Sequence, residues 1–343
     1  MRAFPVVAGL ALAAFAVLQA PESPRSFAAA PASAVVPFTM VSDNMIFPIR
    51  INGVRSYAIF DTGGRFVMTP DLARRLNLRT AAKGSVGGMG AGRPAYSVAT
   101  VHDVAIGDVT LHDQQFVVVP LPYDLTRGGP VPVDVDVGYE LLSKYAARID
   151  FKTREITLTE NAAAQRPVGA AAVHLAFSDT TPMVTASIDG LSGRFLADTG
   201  SSFAVAFTAP FVAAHRMDSR YPATKTLVTG EGLGGNTYAK LVRTKLLRIG
   251  DAEVVRPVAQ LSADTAGTLA SASYAGVIGI DVLKCFTATF DYARSALYLA
   301  PRSPDCPQPF DRTGATVEKT DGNGYAVEGV LANGPAALAG LRA

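Results

Sequence analysis

Two short triplets in this sequence carry residues suited to acid–base chemistry. Asp-Thr-Gly occurs at residues 61–63 and again at 198–200. One such triplet arises by chance in roughly one chain in ten of this length, but two in the same register of a long repeat indicate a functional pair. Two carboxylates held close together cannot both ionise easily, so they share a proton. Asp61 and Asp198 are therefore predicted to work as one unit that offers an acid and a base together.

The triplets occupy matching positions in an internal repeat, which predicts two copies of one structural unit. Residues 51–63 align without gaps over residues 188–200, and the match continues to Phe66 over Phe203. Packing of the two copies about a pseudo-twofold axis would bring equivalent points face to face. The repeat thus predicts that each aspartate meets its counterpart.

Local signals predict the elements that position each triplet. Asn-Gly at 52–53 and Asp-Gly at 189–190 are hairpin dipeptides, and each precedes an apolar strand that ends at the aspartate. Short helices are predicted over residues 71–76 and 211–216, because a proline stands just before each stretch. Each unit is expected to run strand, turn, strand and short helix.

The rest of the repeat favours a mostly antiparallel β architecture, with short β-branched strands separated by frequent turn signals. Glycine-rich turns follow in each copy, at 84–92 and 230–235. The predicted organisation is an N-terminal lobe over 38–160, a linker over 161–169 and a C-terminal lobe over 170–301.

Together these features resemble the retropepsin and pepsin-like aspartic peptidases, in the two-lobed arrangement of exported bacterial members. In that family each lobe offers Asp-Thr-Gly followed by Ser, Thr or Ala, then a flap hairpin, then an apolar-apolar-Gly strand. Residues 198–201 match this pattern fully, and 277–279 supply the strand. The resemblance covers residues 40–301. It implies a mostly β, two-lobed acid-protease fold and an endopeptidase that acts as a monomer on polypeptide, without metal or cofactor.

The first copy departs from the family pattern at two positions. Gly64 stands where a hydroxyl or methyl side chain is expected, and Asp136 puts an acid in the apolar-apolar-Gly stretch. A missing hydroxyl at residue 64 removes a hydrogen bond to one carboxylate, which should bias which aspartate keeps the proton. The two threonines of the triplets are expected to brace the turns against each other.

The resemblance also implies a set of substrate-binding residues around the two turns and at two flap tips. An ordinary hairpin loop remains the alternative for the glycine pairs at the tips. The set comprises Thr62, Gly63, Gly64, Thr199, Gly200, Ser201, Gly87, Gly88, Gly234 and Gly235.

The N-terminus predicts export. Arg2 is followed by an apolar run over 6–18 and by small residues ending at 28–30, the pattern of a secretory signal over 1–30. The run is shorter than the ~20 residues that a membrane-spanning helix needs. Periplasmic or secreted location follows. There, Cys285 and Cys306 either pair or remain buried thiols, and no histidine near them suggests a catalytic cysteine.

Other chemistries find little support. The 343 residues carry a net charge of +2 without a basic block, which argues against nucleic acid as a partner. Residues 230–235 satisfy a dinucleotide-binding fingerprint literally, but the long helix that this motif requires is not predicted after them. Zinc-peptidase, serine-hydrolase and phosphate-loop motifs do not occur in the sequence.

The C-terminal segment 308–343 resembles the front half of a bacterial PDZ domain. A fragment of a longer protein, an appendage packed on the peptidase and a solvated extension are the alternatives for it. For the whole chain, three functions remain open at this point. They are an active endopeptidase, a peptide-binding envelope protein that has kept the fold but lost turnover, and a structural β-protein.

Overall fold

Strands dominate the part of the chain that the structure describes. The computed structural model describes residues 33–122, 131–221, 226–303, 306, 313–320, 324–330 and 334–342. The predicted signal segment 1–30 lies outside the described residues and stays a prediction. No helix found among the described residues has the length and apolar character to cross a membrane.

In its described residues, the first lobe contains mostly strands, with two short helices between them. Its helices are Pro70–Arg75 and Tyr139–Leu142. Its described strands are β1 (Ser33–Pro37), β2 (Thr39–Val41), β3 (Asn44–Ile51), β4 (Val54–Phe60), β5 (Val67–Met68), β6 (Ala81–Ser85), β7 (Ala95–Ile106), β8 (Val109–Val118), β9 (Val135–Val137), β10 (Tyr145–Asp150) and β11 (Glu155–Glu160).

The second lobe repeats this order, as the internal repeat predicts. Its helices are Ala209–Ala214, Met217–Arg220 and Ile280–Leu283, with a 3₁₀ turn at Thr268–Ala270. Its described strands are β12 (Ala171–His174), β13 (Ala176–Ser178), β14 (Thr181–Ile188), β15 (Leu191–Ala197), β16 (Val205–Phe207), β17 (Leu227–Gly232), β18 (Gly235–Arg243), β19 (Leu246–Ile249), β20 (Ala252–Val255), β21 (Val258–Ser262), β22 (Gly276–Ile278), β23 (Phe286–Asp291) and β24 (Ala296–Pro301).

Each lobe has a sheet of its own, and a third sheet joins the two. The first lobe's sheet runs β2-β3-β4-β9-β5-β8-β7-β6, and the second lobe's runs β17-β18-β21-β16-β22-β15-β14-β19-β20. The joining sheet has the order β1-β11-β10-β23-β24-β12, with β10 and β23 antiparallel at its centre. Three strands of the first lobe lie on one side of this centre and three of the second lobe lie on the other, which is the pseudo-twofold arrangement that the fold class requires.

The two predicted hairpins have the backbone geometry that their dipeptides favour. Asn52 and Gly53 have φ of 48° and 80°, and Asp189 and Gly190 have 50° and 83°. Two successive positive φ values define a type I′ turn, which matches the twist of the flanking strands. The predicted hairpins before each triplet are confirmed.

The short helices begin slightly earlier than the sequence predicts. Thr69 and Thr208 are their N-caps, and each hydroxyl oxygen accepts a hydrogen bond from a backbone N–H of the first turn. Proline lies at the start of each helix, where its missing N–H costs no hydrogen bond. The apolar residues of the helices pack on the sheets beneath.

One large cluster of buried apolar side chains includes residues of both lobes. It is rich in aromatic side chains, and the ring of Phe66 stacks on that of Phe116 with centroids 4.8 Å apart. In the second lobe Phe207 stacks on Phe211 with centroids 5.6 Å apart. Burial of such a side chain contributes about 1.5–3 kcal/mol to the free energy of folding. These side chains therefore stabilise the part of each lobe that carries the Asp-Thr-Gly turn.

The C-terminal segment adds a small hairpin of its own. Its described parts are β25 (Ala315–Lys319), β26 (Tyr325–Val330) and the helix Pro335–Leu338. The two strands pair only with each other in the described residues. The PDZ-like interpretation of this segment stays a prediction.

Candidate active site

The two Asp-Thr-Gly turns lie at equivalent ends of β4 and β15. The N–H of Asp61 donates to the carbonyl of Val137 on β9 at 2.9 Å, and the N–H of Asp198 donates to Ile278 on β22 at 2.9 Å. Each of these partner strands runs parallel to the strand that carries the aspartate. The short parallel pairing thus fixes where each aspartate leaves its strand.

Glycines allow the partner strand to pass close beside each turn. A Cβ at Gly138 would lie 2.2 Å from the carbonyl oxygen of Gly64, and one at Gly279 would lie 2.2 Å from that of Phe203. No real side chain tolerates such contacts with backbone, so only glycine fits here. This explains the glycine that closes the apolar-apolar-Gly stretch in both copies.

The two threonines lock the turns together across the lobe interface. The hydroxyl of Thr62 donates to the carbonyl of Ala197 at 2.8 Å and accepts from the N–H of Thr199 at 3.0 Å. The hydroxyl of Thr199 donates to the carbonyl of Phe60 at 2.9 Å and accepts from the N–H of Thr62 at 3.0 Å.

Both threonine side chains are almost completely buried, at 0% and 1% exposure. Their hydroxyls are already engaged with the opposite lobe and do not face a groove. Thr62 and Thr199 therefore join the two turns that carry the aspartates, and their role in substrate binding stays a prediction. The bracing role predicted from the sequence is confirmed.

The interlocked turns bring the two carboxyl groups face to face. A Cβ at Gly63 would lie 2.5 Å from Cγ of Asp198, and one at Gly200 would lie 2.4 Å from Cγ of Asp61. Each glycine thus makes room for the opposite carboxyl group. The two carboxyl groups therefore lie on opposite sides of the interlocked turns and face each other.

Backbone donors orient the pair from below. The N–H of Gly63 donates to Oδ1 of Asp61 at 2.7 Å, and the N–H of Gly200 donates to Oδ1 of Asp198 at 2.8 Å. The hydroxyl of Ser201 adds a bond to Oδ2 of Asp198 at 2.8 Å. Asp198 is thus surrounded by donors, and hydrogen bonds to a carboxylate favour its charged form.

Asp61 has the opposite electrostatic environment. Burial raises the pKa of Asp61 well above its ordinary value, and the neighbouring carboxyls of Asp198 and Asp136 raise it further. The N–H of Gly63 acts against this shift but is a smaller effect. Two close carboxylates in a low-dielectric site hold a proton between them, so the pair can present an acid and a base at once.

Three residues that the triplets do not include also adjoin the site. Thr181 donates its hydroxyl to the carbonyl of Gly63 at 2.9 Å, and Tyr292 donates to the carbonyl of Thr62 at 2.8 Å. Burial, with the charges of the two aspartates, raises the pKa of Tyr292 well above its ordinary value, so it remains a donor. The third residue, Asp136, was noted in the sequence only as a departure from the family pattern.

The glycine-rich loops of the two lobes meet over the site. The N–H of Gly92 donates to the carbonyl of Gly234 at 2.7 Å, and the N–H of Gly234 donates to that of Met89 at 2.7 Å. The carbonyl of Gly88 accepts from Thr268 at 3.0 Å. These backbone bonds join one lobe's loop to the other's.

The remaining predicted flap glycines belong to the same loops. Gly87 lies beside the side chain of Arg93, and Gly235 has a φ of 87° at the turn between β17 and β18. A cavity of about 210 Å³ opens next to these loops and reaches the second active turn. Its lining includes Met89, Ser201 and Thr229.

Cys285 and Cys306 form a disulfide in the structure, with Cα atoms 5.4 Å apart. The bond lies in the second lobe and ties the start of β23 to the chain beyond β24. It is therefore remote in sequence from both Asp-Thr-Gly turns. Within the described residues, no group of three or more His, Cys, Asp or Glu side chains is arranged to hold a metal ion.

Comparison with known proteins agrees with this geometry. A family model described as aspartyl protease matches residues 47–141 and 184–282, which together make up more than half of the chain. The two matched regions contain one Asp-Thr-Gly triplet each and correspond to the two lobes. No curated protein matches the chain.

Proposed function

Because the chain belongs to the aspartyl protease family, we propose that it is an endopeptidase whose catalytic residues are Asp61 and Asp198. The observation that carries the proposal is the facing of the two carboxyls across interlocked turns. Both carboxyls come from one chain, so a monomer supplies the whole pair. Its substrate is a polypeptide in extended conformation.

The proposed reaction uses the proton that the pair shares. The ionised carboxylate takes a proton from a water molecule, whose oxygen forms a bond to the carbon of the scissile carbonyl. The protonated carboxyl donates to the carbonyl oxygen as the carbon becomes tetrahedral. When the C–N bond breaks, the first carboxyl gives its proton to the leaving nitrogen and the second regains one from the new hydroxyl group. The pair thus returns to its initial state.

Substrate entry in this proposal requires the glycine-rich loops to part. Gly92 and Gly234 are joined by a backbone hydrogen bond across the lobes, and a polypeptide that reaches the aspartates must displace it. Closure afterwards excludes water from the site and strengthens the electrostatic interactions of the pair. The cavity beside Ser201 is large enough for a substrate side chain.

A peptide-binding protein without turnover is the second candidate. It is favoured by one observation, the additional buried acid Asp136 beside the pair. A third carboxyl adds like charge to the site, which can hold the pair in an unproductive protonation state. Such a protein would keep the groove and bind peptide without cutting it.

The experiment is cleavage of fluorescein-labelled casein by the purified protein, with and without a peptide inhibitor that contains statine. We expect cleavage that the inhibitor blocks, and a loss of at least about 10²- to 10⁴-fold in Asp61→Asn and Asp198→Asn. Circular dichroism checks that both variants remain folded. Near-normal rates in either variant would refute the catalytic pair, whereas inhibitor binding without any cleavage would support the second candidate.

We also propose that the protein acts outside the cytoplasm, in the periplasm or as a secreted enzyme. The predicted signal over 1–30 supports this location, and so does the bond between Cys285 and Cys306, because disulfides persist in oxidising compartments. Mass spectrometry of the protein from its native cells should find a mature N-terminus close to residue 30. A full-length N-terminus in cytoplasmic fractions would contradict the proposal.

A further inference from the structure

The two lobes fill the space beside their aspartates differently. In the second lobe Ser201 occupies that space and donates its hydroxyl to Oδ2 of Asp198 at 2.8 Å. Gly64 is the equivalent residue of the first lobe, and it has no side chain to fill the space beside Asp61. A Cβ at Gly64 would lie 2.7 Å from Oδ2 of Asp61 and 2.9 Å from Oδ2 of Asp136. The Asp136 carboxyl therefore occupies the room that a residue 64 side chain would need.

Strand register shows which residue Asp136 replaces. Asp136 on β9 pairs with Ile59 on β4 and with Val67 on β5. In the second lobe Val277 on β22 has the same two relationships, to Leu196 on β15 and Ala206 on β16. Val277 is fully buried in an apolar cluster. The acid of the first lobe is thus the counterpart of a core valine.

The groups that face Asp136 are acidic. Its Oδ2 and that of Asp61 border the same space beside Gly64, and the charges of Asp198 and Glu140 also act on it. Glu140 is itself occupied by Arg65 and by the N–H of Phe66. Residue Asp136 is only 8% exposed, and its side-chain oxygen Oδ1 has no hydrogen-bond partner.

A buried carboxylate without a cation is costly, and a hydrogen bond from a neighbouring acid reduces the cost. Burial and the charge of Asp198 raise the pKa of Asp136, while the hydrogen bond from Asp61 lowers it. Oδ2 of Asp61 and Oδ2 of Asp136 adjoin the same space beside Gly64, where a proton on Asp61 can be donated to Asp136. On the other side, Ser201 and Gly200 donate to Asp198 and stabilise its charge. Tyr292 donates to backbone and brings no positive charge.

We propose that Asp136 is a positioning residue that accepts a hydrogen bond from Asp61, keeps the shared proton on Asp61, and so makes Asp61 the acid and Asp198 the base. The two departures from the family pattern are then linked, because the carboxyl of Asp136 occupies the space that the missing side chain of Gly64 leaves open. The roles of acid and base rest on the proposed peptidase function. The placement of the proton does not, and it is measured separately.

Three variants test the proposal, and the second lobe provides their design. Asp136→Asn keeps the shape of the side chain without its charge. Asp136→Val introduces the residue found at position 277. Gly64→Ser combined with Asp136→Val rebuilds in the first lobe the Ser201 and Val277 arrangement of the second. If the valine variants fail to fold, the near-isosteric Asn variant still supports both measurements.

The first measurement is a pH titration of the protein labelled with ¹³C at the aspartate Cγ, followed by NMR. Signals are assigned by their loss in Asp61→Asn, Asp136→Asn and Asp198→Asn. In the wild type, Asp61 should keep its proton to a higher pH than in any of the three test variants. Titration of Asp61 at the same pH with and without Asp136, or at a higher pH without it, would overturn the proposal.

The second measurement is the pH dependence of initial rates on fluorescein-labelled casein. Removal of one like charge from a neighbouring site shifts a pKa by about one unit or more. On the alkaline limb, the rate of the Asp136 variants should therefore fall by about tenfold relative to wild type, with rates within about threefold at the acid optimum. A uniform loss at every pH would indicate a merely structural role and refute the proposal.

The two measurements separate this inference from the proposed function. If the wild type does not cleave casein but the NMR titration shifts as expected, the proton placement stands and the peptidase function fails. If the wild type cleaves and neither the titration nor the rate profile moves, the peptidase function stands and the role of Asp136 fails.

Discussion

Replacement of Thr62 by valine should destabilise the protein through the interface between its lobes. Valine has nearly the same shape, so the change removes the hydroxyl without opening a cavity. Two interlobe hydrogen bonds are lost, those with the carbonyl of Ala197 at 2.8 Å and the N–H of Thr199 at 3.0 Å. Each buried group that loses its partner costs about 1–3 kcal/mol, so we expect the loss of two to lower the free energy of unfolding by roughly 2–6 kcal/mol.

The assay is urea denaturation followed by circular dichroism, with Thr62→Ser as the matched control. Serine keeps the hydroxyl and loses only a methyl group, which should cost about 1 kcal/mol. The casein rate should also fall in Thr62→Val, because a small displacement of Asp61 disturbs the geometry of the pair. If Thr62→Val were no less stable than Thr62→Ser, the interlocked hydroxyls would not hold the lobes together and the reasoning would be refuted.

Two further predictions concern the unequal environments of the aspartates. Ser201→Ala removes the hydroxyl donor to Asp198, so the casein rate should fall by about tenfold; an unchanged rate would contradict this. Asp136→Asn should raise the melting temperature at pH 7 but not at pH 3. Burial raises the pKa of Asp136 in the folded protein. Above the ordinary pKa of an aspartate, the unfolded chain therefore ionises more easily than the folded protein, and each unit of difference in pKa lowers the free energy of unfolding by about 1.4 kcal/mol. At pH 3 the carboxyl is protonated in both states, so the substitution should have no such effect there. Equal effects at both pH values would refute this assignment.

Much of the fold and the centre of the candidate site could be predicted from local residues and the repeat. Asn-Gly and Asp-Gly dipeptides favour positive φ by themselves, and the structure has both hairpins at the predicted places. Apolar strands that end in Asp-Thr-Gly occur twice in the same register. Equivalent positions of two similar lobes meet at a pseudo-twofold axis, which is why the sequence already indicated that Asp61 and Asp198 face each other.

The surroundings of the pair depended on contacts between residues far apart in the chain. Nothing local links Gly64 to Asp136, and only the parallel pairing of β4 with β9 brings the acid into the space beside the glycine. Tyr292, which directly follows β23, likewise lies 230 residues along the chain from its partner Thr62. Its sequence neighbours do not distinguish it from other aromatic residues of the core.

The sequence by itself therefore determined the two carboxyl-bearing turns, because the backbone preferences and the repeat that create them are written in contiguous residues. Only the tertiary structure decided the asymmetry between those turns. Hydrogen-bond donors around Asp198 and a third acid beside Asp61 arise from strand register and lobe packing, and the electrostatic effect of a buried charge depends on its distance to its neighbours and on its burial.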